Sequence, residues 1–458
     1  MKVLFVSSEV VPFAKTGGLA DVSGSLPLAL EKLGVEIKIF MPKYKIVKVK
    51  GDKTIIGQNI EVFFIENKKY FDREQLYGDR FGDYPDNFER FAYFSRASLE
   101  LLKQINFKPH IIHCNDWQSS LIPVYLKTLY KNDLHFCDIK TILTIHNLSY
   151  QGIFDKSQFS KSGLGWELFT IDGLEYYDKV NVLKGGILFS DLVNTVSPTY
   201  AKEIQTKEFG YGLEGVLQKR SGDLYGILNG VDYNVWDPAI DKYIVKNDTV
   251  DSIEKKNVNK EDLQKVGGLK VDKKIPLLGL ISRLADQKGL DLVSEIISDI
   301  FKLNAQFILL GTGDNKYHVL FEKIAKRYLK KASINLRFDE ILAQKIYAGC
   351  DLFLMPSRFE PCGLGQMICL KYGAIPIVRS TGGLKDTIYD FDEVTKTGNG
   401  FVFSEYSSNE LLGAIKKAIR IYKDKEVWQA LVKRAMGYDF SWESSAKKYL
   451  ELYKKVCK

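Results

Sequence analysis

The sequence predicts an α/β fold built twice: two doubly wound parallel sheets in one chain. Three observations predict it. Apolar runs of strand length recur over residues 3–6, 37–40, 60–65, 111–113, 141–145 and 192–196, then again over 277–281, 307–310, 352–355 and 375–378. Helical apolar spacing separates them, as at Val22, Leu26, Leu30 and Leu33, and at Val293, Ile296, Ile297, Ile300 and Phe301. Between the two series lies a stretch over 242–274, rich in Lys, Asp and Asn, which reads as a boundary carrying a solvated helix.

The 458 residues are enough for two or three domains. A hydrophobic content of 45% and a charged content of 27% are those of a globular protein in water. The net charge of +8 is spread along the chain; it suits anionic small substrates and is too diffuse to argue nucleic acid. Cysteines 114, 137, 350, 362, 369 and 457 contain no C-x-x-C pair and no zinc spacing, so free thiols in a reducing compartment are expected. Met1–Val6 is too short an apolar run for a signal peptide and reads as a first strand. No run approaches the ~20 apolar residues of a membrane helix. A cytoplasmic protein with no membrane partner is expected.

Taken in order, strand 3–6 leads into Phe13-Ala-Lys-Thr-Gly-Gly-Leu-Ala-Asp21 and a helix that Pro27 should kink. The Lys15-Thr-Gly-Gly loop is neither G-x-G-x-x-G nor a P-loop. Its adjacent glycines serve either a close backbone approach to a phosphate or a tightly packed turn. Residues 70–91 read as an excursion on the active-site side. Strand 111–113 is followed by Cys114-Asn-Asp116, strand 141–145 by His146-Asn147, and strand 192–196 by Ser197-Pro198. Polar groups just beyond strand ends are where open α/β sheets bind ligands. Singly, Asp116 reads as a helix cap and His146 as a core histidine; with Lys15 they form a convergent candidate site.

In the second half, strand 277–281 leads into Ser282-Arg-Leu-Ala-Asp-Gln-Lys-Gly289, and strand 375–378 into Arg379-Ser-Thr-Gly-Gly383. The most informative stretch is Asp351-Leu-Phe-Leu-Met-Pro-Ser-Arg-Phe-Glu-Pro-Cys-Gly-Leu-Gly-Gln366. Pro356 ends its strand, a loop carries Glu360, and a helix begins near Leu364. Such a junction presents backbone N–H groups to a phosphate. The plainer alternative pairs Glu360 with Arg358, two residues away. The last helix, 442–456, presents Tyr449, Leu452, Tyr453 and Val456 on one face.

Lys15-Thr-Gly-Gly-Leu-Ala-Asp-Val, His146-Asn, Leu228-Asn-Gly-Val-Asp, Ser282-Arg-Leu with Gln287-Lys-Gly, and Pro356-Ser-Arg-Phe-Glu-Pro-Cys-Gly-Leu together resemble bacterial glycogen synthase and plant starch synthase. The motifs run in that family's order over nearly the whole chain. The resemblance implies the GT-B fold, two Rossmann-like domains facing across a deep cleft. It divides the chain into 1–235, joined by 438–458, and 236–437, with the last helix crossing back to the N-terminal domain.

It implies a retaining transfer of glucose from ADP-glucose to the non-reducing 4-OH of glycogen or another α-1,4-glucan, with no cofactor and no metal. Domain closure is implied too, with hinges near 229–245 and before the last helix. By the same resemblance, Arg283 and Lys288 bind the phosphates, and Glu360 is the essential glutamate beside the glucose ring. His146, Asn147 and Asp116 hold the donor sugar and acceptor end. Lys15, Gly17, Gly18, Asp21 and Asn229 belong to the substrate site, as do Cys362, Gly363, Leu364, Gly365, Thr381, Gly382 and Gly383.

Cations aimed at a departing diphosphate lower the barrier, which fits Arg283 and Lys288. A covalent route needs a carboxylate on the sugar's far face. Front-face attack, with the leaving phosphate taking the acceptor proton, is the reading adopted. Two departures stand out: Gly365 where many relatives carry threonine, and Ile368 where wider GT-B enzymes often carry a second glutamate. Base choice between ADP- and UDP-glucose falls to a pocket near 335–350, with Tyr347 as a candidate. The rivals are another GT-B transferase with a lipid or small acceptor, and a non-catalytic glucan-binding homologue. The latter predicts loss of Lys15, Arg283, Lys288 or Glu360, and all four are present. Oligomeric state is not legible.

Overall fold

In the computed structural model, which describes residues 1–458, the chain divides into two compact units, 1–230 with 442–458, and 231–441.

The first unit holds β1 (Lys2–Val6), β2 (Glu36–Pro42), β3 (Lys53–Ile56), β4 (Ile60–Ile65), β5 (Ile111–Asn115) and β6 (Lys140–Ile145). Three short strands follow, β7 (Ile153–Asp155), β8 (Glu175–Tyr176) and β9 (Lys179–Asn181), then β10 (Leu192–Thr195) and β11 (Leu224–Gly226). The main sheet runs β11-β10-β6-β5-β1-β2-β4-β3, parallel except where β3 meets β4. Val3 to Val6 are wholly buried, as expected of a parallel strand covered on both faces. The short strands form a separate antiparallel sheet in the order β8-β9-β7.

Helix α1 (Gly18–Lys32) runs unbroken through Pro27, which is buried inside it. The excursion ends where α2 (Asn87–Gln104) begins. The C-terminal helix (Trp442–Val456) buries Tyr449, Leu452 and Tyr453 in this unit. Tyr453 hydroxyl meets His113 Nδ1 at 2.7 Å, and Asn194 Nδ2 donates to the Tyr449 hydroxyl at 3.1 Å. The other His113 nitrogen meets Thr144 Oγ1 at 2.7 Å, and burial pushes the imidazole down to about 3, so His113 is a neutral core histidine.

The second unit has an all-parallel sheet of β12 (Leu277–Ile281), β13 (Gln306–Leu310), β14 (Ala332–Asn335), β15 (Leu352–Met355), β16 (Ile375–Arg379) and β17 (Phe401–Phe403). Its order is β14-β13-β12-β15-β16-β17. Its helices include α3 (Lys256–Val266), α4 (Leu290–Lys302), α5 (Glu340–Gly349), α6 (Gly365–Lys371) and α7 (Gly382–Thr387). Val293, Ile296, Ile297, Ile300 and Phe301 of α4 enter the core with Leu278, Leu280, Phe307 and Leu309.

Helix α3 corrects the expectation of a solvated helix. It packs on α5 and buries Asn259, Lys260, Leu263 and Gln264. Lys260 Nζ is satisfied by Asp351 Oδ2 at 2.5 Å, the Tyr422 hydroxyl at 2.9 Å and Lys273 O at 3.0 Å. Lys256 Nζ donates to the carbonyls of Tyr347, Ala348 and Tyr372. Polar composition looked like solvent exposure because the partners lie up to 162 residues away.

Candidate active site

In the first unit, β6, β5 and β1 are neighbours, and their carboxyl ends carry His146, Asp116 and Ser7-Ser8-Glu9. Asp116 has a left-handed backbone, φ 53°, which aspartate tolerates better than most residues. Its Oδ1 accepts the His146 N–H at 2.7 Å. Burial pushes its carboxyl up to about 7, against the backbone N–H groups of His146 and Asn147, which favour the ionised form.

Asn115 settles the His146 tautomer. Its Nδ2 donates to Val6 O at 3.0 Å, so its Oδ1, 2.9 Å from His146 Nε2, is the acceptor. His146 therefore carries its proton on Nε2 and a lone pair on Nδ1. Burial lowers its pKa to about 3, which keeps it neutral at neutral pH. Asn147 Oδ1 accepts from Ser149 N and Oγ and shapes the turn after His146.

The glycine loop holds a residue the sequence reading passed over. Glu9 is buried, and its carboxylate accepts from Thr16 N, from Thr16 Oγ1 at 2.6 Å, from Gly17 N at 3.3 Å and from the Tyr77 hydroxyl at 2.6 Å. Of the Gly17 and Gly18 amides expected to approach a phosphate, that of Gly17 is thus taken up by Glu9, together with that of Thr16. The signal for Glu9 was its place: it is the first carboxylate beyond β1, as Asp116 is beyond β5. A Cβ added to Gly17 or Gly18 meets nothing within 4 Å, so tight packing does not require these glycines. Lys15 pairs with Asp21 at 2.7 Å on the exposed side of the loop. Asn229, near the end of this unit, is buried with its Oδ1 unpaired.

In the second unit, β12, β15 and β16 are neighbours. Beyond them lie Arg283 with Lys288, Glu360, and Thr381-Gly-Gly383. Lys288 Nζ contacts Glu360 Oε2 at 2.6 Å, with side chains 20% and 8% exposed. Ser357 Oγ donates to the same oxygen at 3.0 Å. Gln287 ties the two loops: its O accepts Arg358 N at 2.8 Å, and its Nε2 donates to Phe359 O at 3.1 Å. Its Oε1 accepts from Arg283 Nη2 at 3.4 Å. The alternative partner for Glu360 is excluded, because Arg358 lies over the Tyr406 ring, 4.1 Å from its centroid, with Asp291 at 3.6 Å.

Gly382 and Gly383 have a packing reason. Gly382 has φ 44°, and a Cβ there would lie 2.0 Å from Glu360 O; at Gly383 it would lie 2.0 Å from Cys362 O. Gly383 N donates to Glu360 O at 3.1 Å, so this amide braces the Glu360 loop and is spent within the protein. Cys362 and Thr381 are buried beside it, while Gly363, Leu364 and Gly365 lead into α6. A Cβ at Gly365 would sit 3.2–3.3 Å from Phe353, Met355 and the Tyr347 hydroxyl, so the missing threonine fits a crowded wall. Tyr347 itself is buried against Trp236, Phe353 and Tyr372.

Comparison with known proteins sets this geometry in context. Residues 2–219 match the starch synthase catalytic domain family, and residues 260–434 match glycosyl transferases group 1. A glycogen synthase of Thermosipho melanesiensis is 52% identical over 481 residues, covering 100% of this chain and 99% of that protein. One of Geotalea daltonii is 50% identical over 478 residues, with the same coverage. The catalytic domain of starch synthase IV from Arabidopsis thaliana, solved with ADP and acarbose, superposes with a TM-score of 0.91 at 37% identity, covering 100% and 99% of the two chains. Sucrose-phosphate synthase from Thermosynechococcus elongatus, 16% identical with a TM-score of 0.66, shares the fold over 99% and 98% of the two chains. The two α/β units have the GT-B fold, and the chain belongs to the glycogen synthase family of glycosyltransferases.

Proposed function

We propose that this protein transfers glucose from ADP-glucose to the non-reducing 4-OH of glycogen or a related α-1,4-glucan, with retention and release of ADP, in the cytoplasm. The observation that carries the reading is the Arg283–Gln287–Lys288–Glu360 array beyond β12 and β15, where two cations and a buried carboxylate share one braced loop pair. Arg283 and Lys288 offset the charge that grows on the diphosphate as the C1–O bond breaks. Glu360 orients Lys288 and, with the Gly382–Gly383 turn behind it, lies beside the glucose ring. Leu364, Gly365 and Thr381 belong to the same donor site.

Lys15, Asp21, Gly17 and Gly18 act on the donor, and His146, Asn147 and Asp116 on the sugar and acceptor end. Asn229 completes the set. Neutral His146 presents its Nδ1 lone pair as a hydrogen-bond acceptor for a sugar hydroxyl. Front-face transfer balances without a protein base: the C1–O bond to phosphate breaks, the C1–O4 bond forms, and the O4 proton passes to the departing phosphate oxygen. Asp116 Oδ1 is engaged by His146 N, and burial pushes its carboxyl up to about 7, so that only part of it is ionised at neutral pH; both favour the route without a glycosyl-enzyme.

The test is ADP release with glycogen as acceptor, run with ADP-glucose and with UDP-glucose. Turnover with ADP-glucose, abolished in Glu360→Ala, is the expected result. Turnover with UDP-glucose alone keeps the chemistry and overturns the donor. A folded protein with no glycogen-dependent turnover overturns the whole reading.

A further inference from the structure

The hairpin between β8 and β9 has a two-residue turn, because Tyr176 pairs with Lys179. Its central residues are Tyr177 and Asp178, with φ 50° and 62°. That is the turn Asn-Gly makes easily, and a bulky aromatic in it is strained. The tip is nonetheless held firmly. Asp178 N donates to Glu175 Oε1 at 2.8 Å, and Lys156 Nζ grips both Asp178 oxygens at 2.8 and 2.7 Å. The Tyr177 ring is 81% exposed and packs edge-on to Tyr176. Strain that surrounding bonds maintain, beneath a side chain with little packing of its own, points to a use for that side chain.

The hairpin is also tied to the candidate site. The Tyr176 hydroxyl donates to Tyr211 O at 3.1 Å, and Tyr211 is a second exposed tyrosine with a left-handed backbone, φ 49°. Gln151 Nε2 donates to the same carbonyl at 3.1 Å, and Gln151 Oε1 accepts from Asn181 Nδ2 at 2.6 Å. Gln151 lies in the loop 146–152 that begins at His146. The hairpin is thus bonded, through Tyr176 and Asn181, to the loop that carries His146.

Exposed aromatic faces beside hydroxyl groups suit a pyranose ring, whose C–H face is apolar and whose rim is polar. We propose that Tyr177, at the tip of the hairpin that Tyr176 ties to Tyr211, is a subsite for the α-glucan acceptor chain, gripping sugars away from the reacting 4-OH. This rests on the glucan-synthesising reading above.

The test uses the full chain and three variants, Tyr177→Ala, Tyr177→Phe and Tyr177→Gly, assayed for ADP release with maltoheptaose, glycogen and maltose. Loss of one stacked ring should raise KM for maltoheptaose and glycogen about tenfold in the alanine and glycine variants. KM for ADP-glucose and kcat should stay within about twofold. Tyr177→Phe should keep the wild-type KM.

Glycine relaxes the left-handed turn, so Tyr177→Gly should also melt at a higher Tm than wild type while binding glucan less well. A glycine variant with raised Tm and unchanged KM for maltoheptaose overturns the subsite and leaves the exposed tyrosine to a protein partner. Equal rises in KM for glucan and for ADP-glucose overturn it too. If the wild type shows no glucan-dependent turnover, the functional reading fails first. Maltoheptaose binding by calorimetry then decides: binding lost in Tyr177→Gly supports the subsite, and its absence from wild type overturns it.

Discussion

Replacing Lys288 by alanine should destabilise the protein as well as inactivate it, and a second substitution should return part of the stability but none of the activity. Glu360 has a side chain only 8% exposed, and its charge is met by Lys288 Nζ at 2.6 Å and the Ser357 hydroxyl at 3.0 Å. Removing one partner of a buried ion pair costs about 3–5 kcal/mol, because the other charge is left desolvated. Lys288 keeps 20% of its side chain in solvent and Ser357 remains, so Lys288→Ala should cost about 2–3 kcal/mol.

For a unit the size of 231–441, each kcal/mol lowers Tm by about 2–4 °C, so a fall of about 4–12 °C is expected. Glu360→Gln removes the stranded charge while its amide oxygen still accepts from Ser357. Lys288→Ala with Glu360→Gln should therefore recover about half of the loss, a coupling of about 1–2 kcal/mol in the double-mutant cycle. Calorimetry of the full chain reads the Tm values, and ADP release with glycogen reads the activity. A double variant whose Tm loss is the simple sum of the two single losses refutes the reasoning, since Glu360 would then not be held by Lys288.

Two further outcomes follow from the geometry. Asp116 is pushed up to about 7 in the folded chain, against roughly 3.9 for a free aspartate, so the native state holds its proton more tightly. Its contribution to stability is largest below about pH 4, falls as pH rises towards 7, and is flat above that. Since Asp116 keeps some contact with solvent, the loss should be roughly 3 kcal/mol. Asp116→Asn, which still accepts the His146 N–H, should flatten Tm between pH 4.5 and 8; parallel curves for variant and wild type would sink the assignment.

The two pairs of glycines should behave in opposite ways. Gly17→Ala should keep its stability within about 1 kcal/mol of wild type, because a Cβ there meets no protein atom within 4 Å, and should raise KM for ADP-glucose by intruding on the donor. Gly382→Ala should cost about 3 kcal/mol or more and displace the Glu360 loop, since its Cβ would press on Glu360 O at 2.0 Å from a left-handed backbone. Equal Tm losses at Gly17 and Gly382 would contradict the difference in space.

What the sequence by itself determined was local in origin. Apolar period and turn residues mark most strands to within one or two residues, because strand and helix faces are written in neighbours two to four positions apart. The placement of Asp116, His146, Arg283, Lys288 and Glu360 beyond strand ends follows from the same punctuation. Only the tertiary structure decided which of these groups meet. Glu360 passes over Arg358 two residues away and takes Lys288, 72 residues away, because β12 and β15 lie side by side in the sheet.

The same holds elsewhere. Lys260 is a core residue because Asp351, 91 residues on, reaches it. Glu9 claims the Thr16 and Gly17 amides because the loop folds back onto the end of β1. The raised carboxyl of Asp116 and the neutral ring of His146 come from desolvation, a property of everything packed around a group and of no one residue beside it in the chain.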